Sequence, residues 1–313
     1  MKSVYLDCTD FGQSVLTTDI LSKVPDLEIH VGDPDEGTLD RMMAGAVGVI
    51  NGHTIMDEAF LSRYPTLRTI VFLGTGASVY IDVSAAERLG IKVRTVRGYG
   101  DRTIAEHAFA LIMAGARSLA SMDREIRRGE WNTPGGVELA GKRLGVVGTG
   151  GIGRELVRMA SAFGMEVVAW NRSGVPADLP CKAVALDELL ETAHVVSLHL
   201  ALTDATLGMF NRSKLEKLRQ DAILVNVARG ALVDEAALVD VLRQGRIAHA
   251  ALDVFEQEPL PRDHPLTTLD NVTLTSHAAF KSREAMTRLL SDGFDLLRAD
   301  LLAYSAQDAA KAR

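Results

Sequence analysis

The segment Leu144-Gly-Val-Val-Gly148-Thr-Gly150-Gly-Ile-Gly153-Arg-Glu-Leu-Val-Arg-Met-Ala160 constrains this chain more than any other. It passes from a short apolar run through a G-x-G-x-x-G turn into an amphipathic helical pattern, the order of a dinucleotide-binding fingerprint. In that setting Gly148 permits the turn, Gly150 lets the backbone approach a pyrophosphate, and Gly153 lets the helix pack on its strand. The helix N-terminus then faces the anion, so Gly151 and Ile152 join the three glycines as expected cofactor contacts. Glycine spacing alone carries little weight in a chain with 27 glycines; the flanking strand and helix carry it.

Short apolar runs rich in β-branched residues recur at 4–6, 47–50, 69–73, 144–147, 167–170, 195–198, 223–227, 248–252 and 272–274. Many are separated by helix-length segments of 3.6-residue periodicity, and such alternation predicts doubly wound α/β architecture with parallel sheets covered on both faces. The runs form two series, one within the first hundred residues and one from 144 to about 274. Residues 101–117 between them read as a helix: Thr103 and Glu106 have capping-box spacing, and Ile104, Ala108, Leu111, Ile112 and Gly115 share one face. A last periodic segment, roughly 283–302, is expected to return to the first series and end in a polar, Ala-rich tail. With 313 residues, beyond the usual reach of one core, two domains follow: 1–101 plus 292–313, and 102–291.

A formal charge of -7 opposes attraction to phosphate backbones or anionic lipid, so neither nucleic acid nor membrane is an expected partner. Cys8 and Cys181 are too few for a disulfide framework or a four-cysteine zinc site. No apolar stretch approaches eighteen residues, and Asp7 interrupts the N-terminus after a few apolar positions, so a cytoplasmic protein is expected. His194 and His199 flank the run at 195–198 without an acidic or thiol partner at ligand spacing, and no metal site is expected.

Beyond the second strand of the nucleotide series stands Asn171-Arg172-Ser173, where an acidic residue normally accepts the adenosine ribose hydroxyls of NAD. A carboxylate there would repel a 2′-phosphate; Arg172 would pair with it, which favours NADP over NAD. Three further residues have the chemistry to act on an oxo acid. Arg229, in Asn-Val-Ala-Arg-Gly, and His277 both follow strand-like runs directly, and Glu258 lies in Leu-Asp-Val-Phe-Glu-Gln-Glu-Pro. Guanidinium matches a carboxylate in a bidentate fork, histidine exchanges protons near neutral pH, and a carboxylate beside it stabilises the imidazolium. Singly, each is more often a surface charge or a satisfied buried histidine. His107 reads as a packing or interdomain contact, and His53 is a weaker candidate for touching substrate.

In order along the chain, the Thr-Gly loop near 75, the glycine-rich turn, Asn-Val-Ala-Arg-Gly-Ala-Leu-Val-Asp, Leu-Asp-Val-Phe-Glu-Gln-Glu-Pro and the strand-end histidine resemble the D-isomer-specific 2-hydroxyacid dehydrogenase family over nearly the whole sequence. The resemblance implies a Rossmann nucleotide-binding domain and a smaller flavodoxin-like substrate domain. It also implies hydride transfer between NAD(P)H and a small 2-oxo or 2-hydroxy acid, as in glyoxylate and hydroxypyruvate reductases, within a homodimer. By it Arg229 binds the substrate carboxylate, His277 is the acid/base and Glu258 orients it. Thr75 and Gly76 complete the carboxylate site. Thr103, Asn171, Arg172, Ser173, Val227, Ala228 and Asp253 fall at cofactor positions, Asp253 matching the residue that meets the nicotinamide carboxamide. The chain departs from the family in a longer Gly74–Asp82 loop without its Asp-Asn pair, and in Ala201 and Ser276 where proline is frequent; these bear on which acid is accepted. Other classes remain open at this point. A cofactor-sensing interaction protein would use the same fold without turnover, and a formate-type enzyme would replace Glu258 with an amide.

Overall fold

Strands buried on both faces pair in parallel and carry apolar side chains at consecutive positions. In the computed structural model, which describes residues 1–311, every strand pairing is parallel. The chain divides into two compact units, Met1–Gly100 with the segment from Ser282 onward, and Asp101–Lys281.

The first unit holds β1 (Ser3–Cys8), β2 (Leu27–Val31), β3 (Gly48–Asn51), β4 (Thr69–Phe72) and β5 (Lys92–Thr95), in the sheet order β2-β1-β3-β4-β5. That is the flavodoxin-like order, with its topological switch between β1 and β3. Val4, Leu6, Val49, Ile70 and Phe72 face one core layer with Met42, Met43, Phe60 and Leu61. The C-terminal helix, Arg283–Lys311, packs on β3 and β4 and buries Leu290, Phe294 and Leu297 completely. Its Asp300 is 4% exposed and ties the helix to two strands, accepting from Thr69 Oγ1 at 2.9 Å and Lys92 Nζ at 2.8 Å. The expected boundary at 291/292 therefore falls inside one continuous helix, all of which clusters with the first unit. The expected Ala-rich tail is helical through Lys311.

The second unit holds β6 (Arg143–Val147), β7 (Glu166–Trp170), β8 (Lys182–Ala183), β9 (Val195–Leu198), β10 (Ile223–Asn226), β11 (His249–Leu252) and β12 (Val272–Leu274). Their order, β12-β11-β10-β9-β6-β7-β8, is the Rossmann winding with its switch between β6 and β9. Alternation along each strand divides the core. Val147, Val168, Leu198, Leu224 and Leu252 pack against the helices Leu186–Thr192 and Glu235–Arg243. Val146, Val167, Val195 and Val225 pack against the helices Asp101–Ala116 and Gly151–Ala162.

Two local expectations need correction. The helix over 101–117 begins at Asp101, so Thr103 lies within its first turn and is not its N-cap. Strands β2, β5 and β8 were not evident in the sequence. All three are edge or outer strands whose residues are half-buried or exposed, as in the Lys-Val-Arg-Thr of β5, and they lack the apolar run that marks a central strand.

Candidate active site

The glycine-rich turn joins β6 to the helix Gly151–Ala162, and its backbone explains the sequence. Gly148 has φ +100°, and a Cβ there would lie 2.6 Å from the His199 carbonyl oxygen. A Cβ on Gly153 would lie 2.0 Å from the Gly148 oxygen. At Gly150, by contrast, a Cβ would meet nothing within 4 Å, which leaves one face of the turn open. The helix N-terminus has no side-chain cap, and Thr149 Oγ1 is buried without a partner among the described residues. Uncapped amides, an orphaned hydroxyl and an open face fit a pyrophosphate. A Cβ on Gly151 would collide with the Asp101 carboxylate, which accounts for the additional glycine. Burial, reinforced by the charge of Glu155, pushes the Asp101 carboxyl up.

At the end of β7, Asn171 ties the neighbouring loop to the turn. Its Nδ2 donates to Ser173 Oγ at 2.8 Å and the Gly174 carbonyl at 3.0 Å, while Thr149 N donates to its Oδ1 at 3.4 Å. These residues, with Gly150, Val175 and Pro176, line a cavity of about 500 Å³. Arg172 stands exposed beside it, and no carboxylate among the described residues pairs with it.

Three adjacent strands of the same sheet deliver the chemical groups at their carboxyl ends. After β10, Asn226 pins the loop 227–229 by donating from Nδ2 to the Arg229 carbonyl at 2.9 Å and accepting from Ala228 N at 3.0 Å. Gly230 follows because a Cβ there would sit 1.9 Å from the Phe255 carbonyl carbon, so only glycine lets the loops after β10 and β11 touch. Glu258, on the latter loop, accepts from Phe255 N at 2.9 Å through Oε1 and meets His277 Nδ1 at 2.6 Å through Oε2. The Nε2 of His277 makes no hydrogen bond among the described residues. Burial pushes the Glu258 carboxyl up; the bonds from His277 and Phe255, with the charges of His277 and Arg229, outweigh it and leave the group below its ordinary value.

Asp253, immediately after β11 and 0% exposed, braces the histidine loop. Its Oδ1 accepts from Thr275 Oγ1 at 2.6 Å and Ala278 N at 2.9 Å, its Oδ2 from Ala279 N at 2.9 Å. Oδ2 thus keeps a lone pair for one further donor. Val227 and Ala228 lie on the loop after β10, and Thr103 lies in the first turn of the helix Asp101–Ala116. Thr75 and Gly76 lie in the first unit, on the loop after β4. Sequence reasoning did not single out Asn226 or Thr275 as site residues, although an asparagine ending the apolar run 223–225 is a visible signal, and the structure shows it buried.

A Rossmann-wound unit with an uncapped glycine-rich turn, and an arginine, a glutamate and a histidine on neighbouring strand ends, defines a nicotinamide-nucleotide oxidoreductase. The family model described as D-isomer specific 2-hydroxyacid dehydrogenase, NAD binding domain, matches residues 109–279. A glyoxylate reductase of Aeropyrum pernix is 39% identical over 87% of this chain and 85% of its own. A hydroxypyruvate reductase of Thermotoga maritima is 34% identical over 87% of this chain and 90% of its own. The crystal structure of the TT0316 protein from Thermus thermophilus superposes with a TM-score of 0.86 at 34% identity, covering 97% of each chain. The chain belongs to the D-isomer specific 2-hydroxyacid dehydrogenase family. It is an oxidoreductase that transfers a hydride between a nicotinamide cofactor and a small 2-hydroxy or 2-oxo acid, and a sensor without turnover finds no support among these relatives.

Proposed function

We propose that the protein reduces glyoxylate, hydroxypyruvate or a closely similar 2-oxo acid, with NADPH preferred to NADH. The observation that carries the roles is the His277–Glu258 pair: Nδ1 is held by the carboxylate at 2.6 Å while Nε2 is left for substrate. In this reading His277 Nε2 delivers a proton to the carbonyl oxygen, Glu258 holds the ring through Nδ1, and Arg229 receives the substrate carboxylate. The glycine-rich turn, Asn171, Ser173 and Arg172 hold the dinucleotide, and the reduced nicotinamide supplies the hydride when bound. Asp253 would meet the carboxamide, its Oδ2 accepting only from Ala279 N among the described residues.

The NADPH preference rests on exposed, unpaired Arg172 and the missing strand-end acid. A charge-assisted bond to a 2′-phosphate contributes roughly 1.5–3 kcal/mol, about a ten- to hundredfold preference. Initial rates with NADPH and NADH, for the native protein and Arg172→Ser, test it. The NADPH KM should rise about tenfold or more in the variant while that of NADH barely moves; a native preference for NADH contradicts the assignment.

The same reading extends to a homodimer formed through the second unit. The helix Leu119–Arg127 has no buried residue, and Leu119, Ile126 and Trp131 are exposed, Trp131 by 84%. Leu119, Ile126 and Trp131 thus form an exposed apolar patch on and beside this helix that a second copy would cover. Sedimentation equilibrium tests it: a dimer that dissociates on Trp131→Glu is expected, and a native monomer contradicts it.

A further inference from the structure

His107 lies on the helix Asp101–Ala116, outside the groups assigned to chemistry, yet it begins a hydrogen-bonded chain that ends at the histidine loop. Its Nε2 is 3.1 Å from Thr275 Oγ1, and Thr275 Oγ1 is 2.6 Å from Asp253 Oδ1. An ionised carboxylate only accepts, so the single hydroxyl proton of Thr275 goes to Asp253. Thr275 must then accept from His107, which places a proton on His107 Nε2. Burial pushes the Asp253 carboxyl up; His107, whose Nε2 also lies 3.5 Å from Asp253 Oδ1, the Thr275 hydroxyl and the Ala278 and Ala279 amides more than offset it, so the group stays ionised and acceptor-only.

What this carboxylate holds is a strained segment. His277 has φ +49°, in the left-handed region that a non-glycine residue keeps only when its surroundings impose it. The surroundings are visible: His277 N donates to the Asp253 carbonyl at 2.8 Å, and the next two amides donate to the Asp253 carboxylate at 2.9 Å each. Rotation of Asp253 about its side-chain bonds would release those two amides. Thr275 and His107 are the groups that oppose that rotation.

We propose that His107 is a positioning residue: through Thr275 and Asp253 it fixes the loop 275–279 and so the direction in which His277 presents its ring. The proposal rests on the acid/base assignment of His277. Proton transfer depends steeply on donor placement, and a misplacement of about 1 Å costs up to about a hundredfold in rate.

The test compares His107→Ala, His107→Gln, Thr275→Val and Thr275→Ser in the full chain. The readouts are kcat, substrate KM, dinucleotide Kd by fluorescence titration with NADPH, and amide hydrogen exchange across 275–279. His107→Ala and Thr275→Val should each lower kcat about tenfold or more, with dinucleotide Kd within about threefold of native. Exchange across 275–279 should accelerate in both. Glutamine, which keeps a donor near the Nε2 position, and serine, which keeps the hydroxyl, should restore most of kcat and of the protection. Unchanged kcat and exchange in both deletion variants would overturn the proposal, as would equal losses of kcat and dinucleotide affinity that neither conservative variant repairs. His277→Ala in the same assay separates the two levels. Retained turnover there removes the acid/base role, while exchange in His107→Ala still reports whether the chain holds the loop.

Discussion

Both units solve one problem in the same way and put the solution to different use. In each, a buried aspartate near the carboxyl end of one strand grips the loop that follows the neighbouring strand, and each gripped loop carries a histidine beside an acidic residue. In the first unit Asp7 of β1 accepts from the amides of Gly52, His53 and Thr54 and from Thr54 Oγ1, all at 2.7 Å, and His53 Nε2 meets Asp33 at 2.6 Å. In the second, Asp253 grips 278–279, and His277 meets Glu258 at the same separation. The difference lies in the acidic partner. Asp33 has a side chain 82% exposed, whereas Glu258 is 34% exposed, anchored by the Phe255 amide and within the field of Arg229. A short His–carboxylate contact becomes chemistry only when its acid is itself held and a second charge stands nearby.

The largest expected effects break the glycine turn in two distinct ways. Gly153→Ala forces a Cβ to 2.0 Å from the Gly148 carbonyl oxygen, so thermal unfolding should begin many degrees lower and dinucleotide binding should vanish. Gly150→Ala meets only open space; its Tm should stay near native while NADPH affinity falls, because the added methyl occupies the face left for phosphate. Equal Tm losses in both variants would contradict that division.

Replacing the two gripping aspartates tests the parallel. Asp7→Asn and Asp253→Asn each turn an amide donor toward backbone N–H groups that need an acceptor, costing about 1–3 kcal/mol per unsatisfied group. Urea unfolding should show both losses. Only Asp253→Asn should also depress kcat, and a comparable kcat loss in Asp7→Asn would mean that the first unit's clamp serves the reaction too.

Acid should act on the second unit. Burial holds His199 down to about 3 and His249 down to about 4, and both residues belong to this unit. Unfolded imidazoles titrate near 6.5, so below that pH the unfolded chain takes up protons that the folded unit refuses. Stability is therefore full above about pH 6.5 and falls as pH drops toward the folded values. Urea midpoints at about pH 7.5 and about pH 5.5 should differ, and His249→Gln should shrink the difference; an equal drop in that variant removes His249 from the account. The smallest effect is expected from His53→Ala. Its exposed contact with Asp33 contributes about 1 kcal/mol or less, and kcat should stay within about twofold of native.

Central strands were legible because burial on both faces leaves an unbroken apolar run, as in Ile223-Leu-Val225, and the glycine turn was legible because three close approaches demand glycine. The outer strands were not, since exposed Lys92 and Lys182 and half-buried Arg94 break the apolar pattern. The helix read over 101–117 is present as Asp101–Ala116, but the capping signal at Thr103 falls inside its first turn. Packing of Asp101 against Gly151, a contact across fifty positions of sequence, lies beyond any local rule. Arg229, Glu258 and His277 were nameable from their motifs. The bracing through Thr275 and His107 was not, because the 3.1 Å contact between His107 and Thr275 joins residues 168 apart.

The most direct test of the central claim is the steady-state rate of NADPH oxidation with hydroxypyruvate and glyoxylate at neutral pH, native against His277→Ala. General acid catalysis by a placed histidine contributes about 10²–10⁴-fold, so kcat should fall by that factor while dinucleotide affinity stays near native. A variant that keeps native turnover would contradict the account.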